Sequence, residues 1–311
     1  GAVRAYGGTT LERFDTCSYI WFAEHELRPQ PLEPAPEALL QGGIVHAVLD
    51  RLYRQPPGDA ARPTPATVGA WTGRATELVA AIAAERELGG SPAERAVRRG
   101  AERLLGRFLA EEAGREGPFE PRLFEARFGE DEASEKPALE LDGWSLHGAI
   151  DRIDRTADGR ALVHDYKVAG KVTPGAKFEE QGKLQLPLYL LAAQDLWDLA
   201  PAGALYHPLR GTRERRPRGL VLDQDRADLD SYGLVGTDVL PGDRFELAIA
   251  EARERADRIV ARMRGGEIGR DPGPPPGYRD HDVCPTYCAL APICRRDRTP
   301  VADVEREPEE Q

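Results

Sequence analysis

The sequence predicts a mixed α/β fold, in which a central mixed β-sheet is flanked by helices. Apolar residues recur at helical spacing over about residues 9–115. They alternate with polar residues between about 120 and 167, where Asp-Gly pairs mark tight turns. A long helical stretch follows at 179–199. We therefore expect one domain over residues 1–300, with a helical part at about 9–115 and a sheet core at about 120–265.

Four amphipathic helices are expected before the sheet. The first begins at a capping Thr9 or Thr10 and carries Cys17 on its apolar side. A proline-rich break at 29–36 separates it from the second helix, in which His46 points away from the main apolar face. The four predicted ranges are 9–27, 41–53, 67–87 and 91–112.

Two hairpins are expected in the sheet, each turning at an Asp-Gly pair. The predicted strands cover 122–128, 139–141, 144–153, 160–167, 204–209 and 219–222. Helices are expected at 179–199, where Pro187 predicts a kink, and at 245–264. A Pro/Gly loop follows at 271–277, and the acidic segment 302–311 is expected to be disordered.

The composition limits the classes of function. A net charge of −11 argues against a protein coated for nonspecific nucleic-acid binding, but it allows a nuclease with a local basic groove. Only five of the 42 cationic side chains are lysines. Arginine cannot easily replace a compact ammonium that hydrogen-bonds a water, which argues against an ordinary surface role for Lys167. The sequence shows neither a signal peptide nor a membrane span, and we expect a cytoplasmic protein.

The second predicted hairpin carries a candidate hydrolytic site. Asp165 and Lys167 are two residues apart, so a strand places both side chains on one face, and the paired strand can bring Asp151 beside them. Two carboxylates and an ammonium suit a divalent-metal site with a cationic helper for hydrolysis. The backbone carbonyl of Tyr166 can add an oxygen ligand, and His46 can complete the site.

These residues also have ordinary structural interpretations. Asp151 and Asp154 can pair with Arg152 and Arg155. His46 can equally be a partly buried core residue.

Two further groups of charged residues are weaker candidates. Glu125, on the preceding predicted strand, can act as an acidic helper, although a salt bridge or a surface role is favoured. The densest basic run follows a predicted strand and includes Arg213, Arg215 and Arg216. Such a run is usually a solvated hairpin tip, and beside a nucleic-acid site it would contact phosphates.

The four cysteines form a second candidate site, with one near the start of the chain and three within eleven residues near its end. The absence of a secretory signal argues against a disulfide framework. One plus three cysteines suit either a four-thiolate zinc site or a [4Fe-4S] cluster, and the uneven distribution favours iron and sulfur. The four are Cys17, Cys284, Cys288 and Cys294.

Four stretches resemble, in order, the motifs of RecB/AddB-type nucleases of the PD-(D/E)XK superfamily that contain an iron–sulfur cluster. They are Gly42 to His46 for the G-x-x-x-H helix, Gly148 to Asp154 for G-x-(I/V)-D-R-(I/V)-D, Asp165 to Lys167 for D-Y-K, and Gln185 to Tyr189 for Q-x-x-x-Y. The segment 11–17 and the tail cysteines occupy the family's cluster positions. In the tail, the first gap between cysteines holds three residues where the family commonly has two.

The resemblance implies a restriction-endonuclease-like core and a DNA nuclease dependent on Mg²⁺ or Mn²⁺, acting as a single-strand exonuclease in DNA-end processing and recombinational repair. It assigns catalytic roles to Asp151, Asp165, Lys167 and His46. It assigns metal binding to His46, Asp151, Asp165 and the carbonyl of Tyr166. It assigns DNA contact and support of the site to Gln185 and Tyr189.

The resemblance also implies that the four cysteines hold a [4Fe-4S] cluster, which clamps a tail at 278–298. Because the chain begins at Gly1 close to the first cysteine, we expect the C-terminal nuclease domain of an AddB-like helicase–nuclease subunit, with a helicase subunit or domain as partner. Two alternatives remain open. One is a catalytically silent module that binds DNA ends, and the other is a four-cysteine zinc scaffold.

Overall fold

The computed structural model describes residues 5–29, 37–88, 90–168, 172–211, 215–269, 288 and 290–294. Its α-helices are α1 (Gly8–Thr16), α2 (Ser18–Trp21), α3 (Glu37–Arg54), α4 (Val68–Glu85), α5 (Pro92–Glu112), α6 (Gln185–Trp197), α7 (Gly242–Arg264) and α8 (Ala291–Cys294). Its strands are β1 (Ala5–Gly7), β2 (Glu120–Phe128), β3 (Leu139–Leu141), β4 (Trp144–Arg155), β5 (Arg160–Lys167), β6 (Ala200–Pro208), β7 (Arg218–Leu222) and β8 (Val239–Leu240). This arrangement confirms the predicted mixed α/β class.

In the described part of the chain, the strands form one mixed sheet centred on β4. The order is β1-β4-β5-β6-β7-β8, and β2 and β3 also pair with β4. The β4–β5 hairpin is antiparallel, as the Asp-Gly turn predicts. The following β5–β6 pair is parallel, and α6 makes the crossover between these two strands.

Helices cover both faces of the sheet. Val163 of β5 belongs to an apolar cluster with α1, α6 and α7, whereas Tyr166 of the same strand belongs to a cluster with α3, α4 and α5. Alternate residues of a strand point to opposite faces, so the two clusters lie on opposite sides of β5. Asp165 and Lys167 of the predicted hydrolytic site lie among the last three residues of this strand.

The first predicted helix is wrong as one continuous element. Cys17 adopts an extended conformation (φ −165°, ψ 108°) between α1 and α2, and a π-helical segment, Phe22–Leu27, completes the stretch. The spacing of apolar residues does not reveal a single extended residue, because the residues on both sides of it are helical.

The predicted kink at Pro187 is also wrong. Helix α6 begins at Gln185 rather than near residue 179, so Pro187 is its third residue. The N–H groups of a first helical turn have no partner within the helix, so proline removes no hydrogen bond there.

Several predictions concern residues outside the described ranges. They include Cys284, Arg213, the loop at 271–277, the disorder of 302–311 and most of the tail at 278–298. Among the helices that the structure does describe, none is both long and apolar enough to cross a lipid bilayer.

Candidate active site

The β4–β5 hairpin brings the two predicted aspartates together. Its last antiparallel pair on this side is Arg152 with His164, and Asp151 and Asp165 are the next residues along each strand. Asp151 Oδ2 accepts a hydrogen bond from the backbone N–H of Tyr166 at 2.7 Å. This bond holds the Asp151 carboxylate against β5 just beyond the regular pairing.

His46 reaches the same place from α3. Its Nδ1 lies 3.1 Å from Asp151 Oδ1, and its Nε2 lies 2.9 Å from the carbonyl oxygen of Tyr166. The imidazole therefore lies between an aspartate and a backbone oxygen that the sequence assigned to one metal site. The His46 side chain is 30% exposed, so it is partly buried, and both of its ring nitrogens have polar partners.

Lys167, Asp165 and Gln185 form a second connected group. Lys167 Nζ lies 2.7 Å from Asp165 Oδ2 and donates to Gln185 Oε1 at 2.9 Å. Gln185 Nε2 donates to Asp165 Oδ1 at 2.7 Å and lies 3.5 Å from the hydroxyl oxygen of Tyr189. One glutamine amide thus contacts both the carboxylate and the ammonium of the D-Y-K segment.

Gly148 allows the tyrosine of this group to approach β4. A Cβ at Gly148 would lie 2.9 Å from the ring of Tyr189 and 3.1 Å from that of Phe128. Any side chain there would collide with two buried aromatic rings, so the position requires glycine.

Glu125 is a residue of the site that the sequence did not favour. It lies on β2 opposite Asp151, between the paired residues Phe124 and Ala126, and its φ of +45° is in the left-handed region. That conformation is costly for a non-glycine residue within a strand and is most often retained at functional sites. Glu125 Oε1 lies 3.9 Å from His46 Nδ1.

The salt bridge favoured for Glu125 is also present, with Arg127 at 3.0 Å. In the sequence, polar and apolar residues stop alternating at Leu123-Phe124, next to Glu125. Such a break indicates an irregular strand, and it is the local feature that could have drawn attention to Glu125.

Burial and neighbouring negative charges shift the pKa values of the titratable groups in the site. Burial lowers the pKa of His46, but the charges of Asp151, Asp165 and Glu125 outweigh it and raise this pKa to about 9. Burial, and then repulsion from Asp151, raise the pKa of Asp165 to about 6 against the opposing effect of Lys167. Burial and Asp151 likewise raise the pKa of Glu125. The site therefore favours an added positive charge.

The side chains present fit a divalent cation. One ligand atom each from His46, Glu125 and Asp151 lie within 4.8 Å of one another. Asp165 Oδ2 is buried, and the ammonium of Lys167 lies 2.7 Å from it. Carboxylate oxygens suit Mg²⁺ or Mn²⁺.

The neighbouring charges of the D-R-I-D segment have a different role. Arg152 is fully buried on the other face of β4, where it donates to both oxygens of Asp154 at 2.5 and 2.6 Å and to Glu112 at 2.6 Å. Its guanidinium also contacts the hydroxyl of Tyr166 at 3.4 Å. The structural interpretation therefore holds for Asp154 but not for Asp151, whose described partners are His46 and a backbone N–H.

Three of the four described arginines of the basic run contact other parts of the protein. Arg215 pairs with Glu111, whereas Arg216 is exposed. Arg210 and Arg218, at the ends of the run, contact Gln41 and Asp238.

Three of the four cysteines lie within the described residues. Cys17 and Cys294 are buried, Cys288 is partly exposed, and none of the three is in a disulfide. The pKa of Arg13 is raised first by its ion pair with Glu24 and further by Cys288 and Cys17. Arg13 is therefore within electrostatic reach of cysteines from both ends of the sequence.

Comparison with known proteins identifies the family. Residues 8–295 match the PD-(D/E)XK nuclease superfamily. No curated protein matches the chain. The match covers most of the 311 residues, including every described side chain of the site. The chain belongs to the PD-(D/E)XK nuclease superfamily and is a metal-dependent nuclease.

Proposed function

We propose that the protein is a RecB/AddB-type DNA nuclease, which uses Mg²⁺ or Mn²⁺ to degrade single-stranded DNA from an end during DNA-end processing and recombinational repair. The observation that carries the proposal is the convergence of His46, Asp151, Asp165 and Lys167 at the edge of the β4–β5 hairpin. A helicase subunit or domain would supply the unwound strand.

The proposed metal ligands are His46, Asp151, Asp165 and the Tyr166 carbonyl, and Glu125 is an additional acidic candidate. A divalent cation bound there would supply positive charge next to the scissile phosphate. His46 would have to lose its proton to bind the cation, since a protonated imidazole has no lone pair to offer.

Lys167 is proposed to orient the attacking water. Gln185 Oε1 accepts a hydrogen bond from one of the three N–H groups of the Lys167 ammonium. Asp165 Oδ2 lies at ion-pair distance from the same ammonium. This leaves an N–H of the rotatable ammonium able to donate to a water or to a phosphate oxygen. Gln185 fixes the position of both charged groups, while Tyr189 supports Gln185 and is proposed to contact DNA.

A nuclease assay with Lys167→Ala tests this proposal. The wild-type protein should shorten end-labelled single-stranded DNA in Mg²⁺ or Mn²⁺, and EDTA should stop the reaction. The substitution should slow cleavage by at least about a hundredfold, because it removes a group that acts on the reacting atoms.

Lys177→Ala is the matched control, since Lys177 is an exposed lysine outside the site. It should cleave at the wild-type rate. DNA binding without cleavage by the wild-type protein would contradict the proposal and identify a module that binds DNA ends.

We also propose a [4Fe-4S] cluster held by Cys17, Cys284, Cys288 and Cys294. The number and distribution of the cysteines support it, since one near the start and three near the end can supply four thiolates. Thiolates are the ligands that such clusters require.

Anaerobic purification tests the cluster. The protein should be brown with visible absorbance and about four irons per chain. Cys17→Ser should lose both colour and iron, whereas Ser18→Ala, a change at the adjacent residue, should keep them. A colourless protein with one bound zinc would show that the cysteines form a zinc scaffold.

A further inference from the structure

A carboxylate from α1 lies at the start of the helix that carries Gln185. Glu12 Oε1 accepts hydrogen bonds from the backbone N–H groups of Leu184 at 2.8 Å and Gln185 at 3.0 Å. Its other oxygen lies 3.3 Å from the ammonium of Lys183. Two adjacent amides and one cation thus converge on a single side chain from a distant part of the sequence.

Helix α6 has no side-chain cap of its own. Leu184, at the N-cap position, cannot accept a hydrogen bond through its side chain. The first N–H groups of a helix need an acceptor, and the positive end of the helix dipole favours a negative one. The Glu12 carboxylate is an acceptor and is negatively charged. Its side chain is only 17% exposed.

The contact is close because α1 begins with glycine. A Cβ at Gly8 would lie 3.1 Å from the Cα of Gln185, so a side chain there would push the two helices apart. Leu11 and Phe14, both almost fully buried, anchor α1 independently of Glu12.

A continuous set of contacts therefore leads from Glu12 to the catalytic groups. Glu12 holds the backbone of Gln185, and the amide of Gln185 holds Asp165 at 2.7 Å and Lys167 at 2.9 Å. We propose that Glu12 is a positioning residue for catalysis, which sets the location of Gln185 and through it the location of Asp165 and Lys167. The inference rests on the proposed function, in which these two residues act on DNA.

The chain offers a matched control on the same helix. Asp15 is also a carboxylate with 17% side-chain exposure, but it pairs with Arg255 at 2.6 Å and Arg262 at 3.2 Å on α7. Removing it weakens the attachment of α1 to α7 without removing the acceptor at Gln185.

We expect Glu12→Ala to lower kcat for single-stranded DNA about tenfold or more, with KM changed less than twofold, because catalytic groups displaced by a fraction of an ångström lose rate rather than affinity. Glu12→Gln, which keeps a side-chain oxygen, should recover part of kcat. Asp15→Ala should keep kcat within twofold of wild type even if its melting temperature falls as far as that of Glu12→Ala.

A double-variant cycle separates positioning from a general loss of structure. Glu12→Ala should have little further effect on kcat when combined with Gln185→Ala, because the group that it positions is already absent. Equal kcat values for Glu12→Ala and the wild type, or additive losses in the double variant, would overturn the proposal.

Amide hydrogen exchange gives a readout that does not depend on cleavage. Exchange at Leu184 and Gln185 should accelerate at least about tenfold in Glu12→Ala and less than twofold in Asp15→Ala, because only the first substitution removes a charged acceptor. If the wild-type protein fails to cleave DNA, the proposed function fails, yet this measurement still tests whether Glu12 holds the start of α6. Unchanged exchange in Glu12→Ala would reject that role.

Discussion

Asp151→Asn is expected to lower the rate of metal-dependent DNA cleavage by about a thousandfold or more. Asp151 is the residue around which the site is built, since its two oxygens contact His46 and the Tyr166 backbone. Asparagine keeps the shape but removes the negative charge and one hard oxygen ligand, so the affinity for Mn²⁺ should fall together with the cleavage rate. Steady-state cleavage of end-labelled DNA and titration with Mn²⁺ measure the two effects.

Asp142→Asn is the control for this substitution. Asp142 has an 85% exposed side chain in the turn that precedes β4, so the same chemical change there should alter neither cleavage nor Mn²⁺ affinity. Cleavage by a pure Asp151→Asn preparation within tenfold of wild type would contradict the site that we propose.

Arg152→Met is expected to give the largest loss of stability, about 3–5 kcal/mol in the free energy of unfolding. Arg152 is 1% exposed and its guanidinium neutralises both Asp154 and Glu112, which are fully buried. Methionine fills a similar volume but removes the arginine that pairs with buried Asp154, and it leaves buried Glu112 with Arg115, at 3.5 Å, as its ion-pair partner among the described residues. Urea denaturation followed by circular dichroism measures the loss.

Arg155→Met, three residues along the same strand, serves as the control because Arg155 is exposed. It should change the free energy of unfolding by less than about 0.5 kcal/mol. Adding Glu112→Gln and Asp154→Asn to Arg152→Met should restore part of the loss, since neutral amides cost less to bury than unpaired charges. An Arg152→Met protein as stable as Arg155→Met would show that the buried ion pairs do not stabilise the fold.

The sequence predicts the features that depend on local pattern. Alternation around the Asp-Gly turn locates the β4–β5 hairpin and places Asp151 beside Asp165, because strand periodicity decides which side chains share a face. The helices α3 to α5 also follow directly from apolar spacing.

The features that the sequence does not predict depend on tertiary contact. The extended conformation of Cys17 and the left-handed conformation of Glu125 each affect one residue. The spacing of apolar residues is a property of many positions, so it does not reveal them. The strand β1 has three residues, and its parallel partner in β4 lies about 140 positions away. Glu12 contacts α6 across a similar separation, so no local pattern indicates what it binds.

The attachment of α1 has a consequence for the order in which the protein can assemble during synthesis. Its contacts join residues that are 173, 240 and 247 positions apart, from Glu12 to Gln185 and from Asp15 to Arg255 and Arg262. Contacts of such long range form late, because the intervening chain must first be made and then ordered. A ribosome-bound chain therefore lacks the Glu12 support of Gln185 until α6 has been made, so α1 is synthesised long before it can take its place beside the site.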